Sequence, residues 1–189
     1  MTLLVIDMLN DFFERHVILA EQRPRLVESI NSLTAAFREH KQTIIWVRQE
    51  FAADLHDAFL DMRKNDLRVT IAGTDGCEIL PELIRDPYEQ VIVKKRYSAF
   101  FGTELDNILH HHSAGTLVVA GINTHACVRT TVIDAYQRDY EVVVAEECIA
   151  SSNPQHHEIT KQYLDNNIAQ LLSNQTIIKM LASEAANLS

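Results

Sequence analysis

An α/β fold with a mostly parallel sheet wrapped by helices is predicted by three observations on this 189-residue chain. Short runs rich in Val, Ile and Leu recur along it. Each is nearly continuous in apolar residues rather than alternating, as a sheet covered on both faces requires. Amphipathic helical patterns separate them, and strand–helix alternation is the signature of parallel crossovers.

The elements follow in order. Leu3–Ile6 reads as the first strand, and Leu26, Ile30, Leu33 and Phe37 fall at helical spacing to give the first crossover helix. Thr43–Val47 is the second strand, Val91–Val93 the third, Leu117–Ala120 the fourth, Val142–Val144 the fifth and Thr176–Ile178 the sixth. Further helices are marked by Leu105, Ile108, Leu109 and His112, by Val128, Val132, Ala135 and Tyr136, and by Ile159, Tyr163, Ile168 and Leu171. Residues Arg48 to Gln90 interrupt this rhythm with one short helical pattern (Leu55, Phe59, Met62), then Gly73, Gly76 and Pro81, and no strand. An excursion of that length reads as a lid or a subunit contact, or else as plain surface. With no repeat and no Gly/Ser- or Pro-rich linker, residues 1–189 are expected to form one domain.

Composition narrows the function. Hydrophobic residues make up 47% and charged residues 23%, a globular balance, and the net charge is −9. That charge, with no Lys/Arg-rich block, argues against nucleic acid or an anionic membrane as partner. No apolar run has the length of a membrane span, and the N-terminus enters a strand without a signal-peptide pattern. Three widely spaced cysteines fit neither a disulfide framework nor a zinc site, so a cytoplasmic protein is expected, with Cys77 and Cys148 as small buried hydrophobes.

Chemistry concentrates at three strand ends. Asp7 follows the first strand, Lys94 follows the third, and Cys127 lies just beyond the fourth, at the start of a helical pattern. Parallel sheets bind ligands outside the carboxyl ends of their strands. A thiol at a helix start is favoured as thiolate by the free N–H groups there. With strands one, three and four close together, the carboxylate takes the thiol proton and the ammonium supports the ionised arrangement. Taken singly, Asp7 could cap a turn, Lys94 could be a solvated lysine and Cys127 a structural thiol. His110-His111-His112 suggests a metal cluster, but successive helical side chains point apart, and a solvated helix end is the better reading.

These residues also carry a resemblance. Val5-Ile6-Asp7-Met8-Leu9-Asn10-Asp11-Phe12 resembles the opening motif of the isochorismatase-like cysteine hydrolases. Lys94 to Leu105, with Ser98-Ala99-Phe100 and Thr103, is similar to their second motif, and Ala120 to Val128 to their third. Val142 to Ser151 is similar to the strand and polar turn that follow. The resemblance implies a three-layer α/β/α sandwich around a six-stranded sheet and a small-molecule hydrolase that needs no cofactor. By resemblance Cys127 is the nucleophile, Asp7 the general base and acid, and Lys94 the third member of a triad. It further implies a cis peptide at Ile122–Asn123, an oxyanion hole from the N–H groups of Asn123 and Cys127, and a homo-oligomer (dimer or tetramer). The long excursion and the helix at Lys179–Ala186 are the candidate contacts.

Phe12, Arg96, Tyr97, Phe100 and His125 are candidates for the substrate pocket, with core packing the equal alternative for the aromatics. His125 could equally lie at the surface, and His157 matches a histidine of family members without a derivable role. Trp46 to Phe51 lacks the Asp-x-His metal ligands of nicotinamidases, Leu9 stands where Gln is frequent, and Glu147 replaces an Asp. The expected reaction is cleavage of a small amide or related C–N bond through a thioester. Alternatives are vinyl-ether hydrolysis with Asp7 as acid, a catalytically silent binding protein and, less so, a redox-active thiol.

Overall fold

The computed structural model describes residues 1–112 and 114–187. Its centre is a six-stranded sheet of β1 (Thr2–Ile6), β2 (Thr43–Gln49), β3 (Gln90–Lys94), β4 (Thr116–Gly121), β5 (Glu141–Ile149) and β6 (Gln170–Leu172), in the order β3-β2-β1-β4-β5-β6 with every pairing parallel. The chain runs outward from β1 to one edge, returns, and builds the other half from β4. The reversal falls between β1 and β4, which stay paired to their last residues, so the connections that leave their carboxyl ends diverge to opposite sides of the sheet.

Alternation along each strand sorts the core into two layers. Leu3 and Val5 of β1, with Val118 and Ala120 of β4, face α2 (Val17–Glu39) and α7 (Asn174–Asn187). Leu4, Ile6, Leu117 and Val119 face α4 (Leu105–His111), α5 (Arg129–Tyr136) and α6 (Pro154–Leu164). Successive strand side chains point to opposite faces, so apolar residues at every position cover both. α2 extends well before the predicted Leu26 and accommodates Pro24 inside it. Short α1 (Asn10–Arg15) follows β1 directly.

Two sequence expectations are corrected. Thr176–Ile178 is not a strand but part of α7, and the sixth strand is Gln170–Leu172. A three-residue β-branched run cannot distinguish strand from helix. Here Ile177 and Leu181, four apart, bury one helical face, and the Ser173 hydroxyl accepts the Thr176 N–H at the helix start. The same shift removes Ile168 and Leu171 from the preceding helix, which stops at Leu164.

The excursion after β2 holds α3 (Leu60–Asn65), a 3₁₀ turn at Asp75–Cys77 and its own small core of Phe51, Leu55, Ala58 and Ile71. A bridge between Phe51 and Ile71 closes it upon itself. Contacts from α1 hold it down: Asp11 Oδ2 accepts the Thr70 N–H at 2.6 Å, Asn10 donates to Asp75 O at 2.8 Å, and Arg15 donates to Arg68 O at 2.7 Å. Gly76 fits here because an added Cβ would lie 2.5 Å from the Asp11 carboxyl. Farther along, Glu89 receives Arg38 on both oxygens and the Trp46 indole N–H, fixing the approach to β3.

Candidate active site

The three strand-end residues meet, although one comes from farther off than its neighbours. β1 ends at Ile6, and Asp7 turns the chain out of the sheet with φ +53°, a region Asp tolerates better than most residues. Its N–H donates to Val47 O at 2.8 Å, and its side chain is fully buried. Lys94 closes β3, with β2 lying between it and β1, so its side chain and that of Asp7 together must span two strand spacings, about 10 Å. Lys94 Nζ reaches 2.6 Å from Asp7 Oδ2, 3.4 Å from Cys127 Sγ and 3.1 Å from Arg96 O. Neither Asp7 oxygen makes a hydrogen bond of ordinary geometry, so an ion pair holds the contact and the lone pairs are not tied up by backbone donors. Cys127 keeps 4% of its surface exposed whereas Asp7 and Lys94 keep none, so approach is from the sulfur side.

Electrostatics correct one expectation. Burial above all, then the Asp7 charge, push the Cys127 thiol well above its ordinary range, with Lys94 only partly offsetting them. The resting sulfur is therefore a neutral thiol, not a helix-start thiolate. Cys127 in fact sits inside a π-helical turn, Thr124–Val128, which precedes α5 rather than opening it. For Lys94 burial works against the ammonium, but the Asp7 carboxylate, with the contact to the Cys127 sulfur, outweighs it and holds the pKa above the usual lysine value.

The corner that carries the sulfur is tied on all sides. Gly121 has φ +111°, and a Cβ there would fall 2.0 Å from Ile6 O, so only glycine lets β4 lie this close to β1. The Ile122–Asn123 peptide is cis. Ile122 N–H donates to Ile6 O at 2.9 Å, and Asn123 Oδ1 accepts the Ser152 N–H at 2.8 Å. Thr124 donates to Ala150 O from both its N–H and its hydroxyl, at 2.8 and 2.9 Å. Thr131 Oγ1 donates to Cys127 O at 2.7 Å and accepts the Ala99 N–H at 3.0 Å, joining the second motif to the third. Sequence reading overlooked Thr124, Thr131 and the 150–152 backbone, because main-chain partners leave no side-chain pattern to recognise.

The pocket candidates divide. Arg96 donates to Asp57 O at 2.8 Å and lies over the Phe59 ring at 5.2 Å, while Tyr97 packs on Phe59 at 4.9 Å. Lys95 pairs with Asp57 at 2.9 Å, so the residues after β3 fasten the excursion beside the triad. Phe100 takes the core-packing alternative. It is core, stacked at 6.3 Å on Tyr140 at the far end of the sheet and capped by Arg138. Phe12 packs against the α2-side core. His125 is half-buried, with Nδ1 2.6 Å from Ser151 Oγ and its ring against His156. Burial, then His156, lower its pKa. Where nicotinamidases carry metal ligands, Arg48 joins Glu50 and Glu78 in ion pairs. Among the described residues no three His, Cys, Asp or Glu side chains gather for a metal, and no helix is long and apolar enough to cross a membrane. A cleft of about 710 Å³ between β5, β6 and α7 lies away from the triad, at the opposite ends of the strands.

A doubly wound parallel sheet with an acid, an ammonium and a thiol packed at its switch point defines an α/β hydrolase architecture. The chain belongs to the isochorismatase family: the family model, described as the Isochorismatase domain, matches residues 1–176. It is 31% identical to the crystal structure of an isochorismatase family protein from Desulfovibrio vulgaris, with a TM-score of 0.87, covering 96% of this chain and 97% of that one. The N-carbamoylsarcosine amidase of Thermoplasma acidophilum is 28% identical, with a TM-score of 0.77 over 92% of this chain and 95% of that one. A relative from Arabidopsis thaliana, named a probable inactive nicotinamidase, is 35% identical over 82% of this chain and 83% of its own. The protein is thus an isochorismatase-family hydrolase with amidohydrolase-named relatives.

Proposed function

We propose that the protein cleaves a small amide or related C–N bond by covalent catalysis at Cys127. The observation that supports this most is the buried contact of Lys94 with both Asp7 and Cys127 at the carboxyl edge of the sheet. Asp7 takes the thiol proton as sulfur attacks the carbonyl carbon, and the new C–S bond leaves a tetrahedral oxyanion. N–H groups of Asn123 and Cys127 receive that charge. Collapse expels the amine, which leaves with the proton Asp7 carried. Water, deprotonated by Asp7, then attacks the thioester and frees the acid and the thiol. Lys94 stays charged throughout and balances whichever partner is anionic. Burial and the Asp7 charge disfavour a standing thiolate, so the thiol gives up its proton to Asp7 in the course of the attack.

Nicotinamide is not the proposed substrate. Arg48, Glu50 and Glu78 form an ion-pair network where nicotinamidases hold metal, and the Arabidopsis relative is named a probable inactive nicotinamidase. The test is a panel of small amides and ureides run with parent and Cys127→Ala. The parent should turn over at least one and show an acyl adduct on Cys127 by mass spectrometry, whereas Cys127→Ala should fold normally and lose activity by roughly a thousandfold or more. Unchanged hydrolysis by Cys127→Ala would remove the thioester and leave Asp7 acting as a general acid, as on a vinyl ether.

A further inference from the structure

We infer that His157 is a positioning residue of this reaction: its Nδ1–H, acting through the Thr124 hydroxyl, holds the Asn123–Cys127 corner in the arrangement that receives the oxyanion. This rests on the thioester reading above. Thr124 Oγ1 is fully buried between two partners, Ala150 O at 2.9 Å and His157 Nδ1 at 2.9 Å. A carbonyl oxygen only accepts, so the single hydroxyl hydrogen must point at Ala150. Towards His157 the hydroxyl can then only accept, and Nδ1 must carry the hydrogen. The ring's other nitrogen faces the rim, 3.8 Å from Glu158 Oε1. Burial and the nearby Lys161 charge keep the imidazole neutral, which makes this a choice of one tautomer.

The chain of bonds runs from α6 to the reacting centre without a gap. His157 sits in the first turn of α6, where Asn153 caps the helix and Pro154 opens it. Thr124 is the residue directly after Asn123 and begins the turn that contains Cys127. Its N–H and hydroxyl meet the same carbonyl, which fixes the peptide plane between Asn123 and Thr124, while Ser152 on Asn123 Oδ1 and Ile122 N–H on Ile6 O anchor the corner on either side of the Asn123 N–H. Without the histidine, the Thr124 hydroxyl oxygen loses the donor that ties it to α6, and the corner loses one of its tethers. Sub-ångström misdirection of an oxyanion donor suffices to slow acyl transfer.

Two probes separate positioning from general damage. Acylation of Cys127 by 4-nitrophenyl acetate forms a C–S bond, passes through an oxyanion and expels 4-nitrophenolate, followed by its colour and by the acetyl adduct. Alkylation by iodoacetamide displaces iodide at a saturated carbon and generates no oxyanion. His157→Gln, which places its amide at the Nε2 position, and His157→Phe should acylate roughly tenfold or more slowly while alkylating at the parent's rate. His157→Asn, whose amide N–H overlies Nδ1, should restore most of the acylation rate. Thr124→Val removes the acceptor from the other end and should match His157→Gln, giving the same readout without altering the helix. Parental acylation in His157→Gln and Thr124→Val, an equal fall in both reactions, or no rescue by His157→Asn overturns the positioning role. A parent that forms no acetyl adduct overturns the thioester reading and this inference with it.

Discussion

Lys94 shows how much depends on one residue. Its ammonium is sealed from water and faces a carboxylate equally sealed, so neither charge has solvent to turn to if the other is removed. Breaking a buried pair by deleting one member typically costs about 3–5 kcal/mol. Lys94→Met is therefore expected to lower unfolding stability by that amount in urea titrations, and to abolish hydrolysis. Adding Asp7→Asn should recover most of the stability and none of the activity, because it removes the stranded charge along with the proposed base. A Lys94→Met variant as stable as the parent would mean that water reaches Asp7. The identities of Asp7, Lys94 and Cys127 were legible from their places after three apolar runs. That Lys94 must reach over β2 was not, since strand order is a property of pairing and no residue of β3 announces its neighbour. Phe100 was left open between pocket and core for a related reason: its motif position is close to Lys94, yet its ring turns to the other end of the sheet.

Among the elements, the β4 exit is the least tolerant of change. Gly121 combines a backbone conformation that L side chains avoid with a contact against Ile6 O that leaves no room for a methyl group. Either β4 must move off β1, breaking the Ile6–Gly121 register, or the corner must turn elsewhere. Gly121→Ala is expected to destabilise by about 4 kcal/mol or more and to remove activity even in the folded fraction, read by thermal unfolding alongside turnover. The same substitution at Gly115, where nothing lies within 4 Å of an added Cβ, serves as the control and should change stability little. Five strands could be placed from their apolar runs, because burial on both faces writes itself into composition. The sixth could not: Gln170–Leu172 is three residues long and only half-buried, and the more strand-like Thr176–Ile178 was claimed by a helix with a serine at its start. The excursion after β2 was recognised by its broken rhythm, but its small core around Phe51 and Ile71 joins residues too far apart for periodicity to link.

Taken as a whole, the molecule is set up to lose stability in alkali. Burial pushes the Cys148 thiol up to about 12, against 9.0 for a free thiol, and Cys127 is raised as well. In the unfolded chain both ionise as pH passes 9.0, while the native state still withholds ionisation, so the unfolded state gains with each further step in pH. Each thiol then removes about 1.4 kcal/mol per pH unit until its native form ionises too. Lys94 acts in the same direction, because its raised pKa gives stability that holds below 10.5 and is lost as pH rises through the native value. Denaturation midpoints should therefore be flat from neutrality to about pH 9 and fall steeply above it. Cys148→Ala should make that fall shallower by one thiol's share; a slope unchanged by this variant would show that Cys148 ionises as freely folded as unfolded.

The enclosure of the Asp7–Lys94 pair reaches into the conditions under which the protein works. Mobile ions weaken attraction between charges only where they can drift between or around them. Here they have no entry, so the attraction between Asp7 and Lys94 changes far less with ionic strength than that of an exposed pair. The response of activity to ionic strength should then come mainly from the rim, in how a substrate arrives, read as a change in KM with little change in kcat.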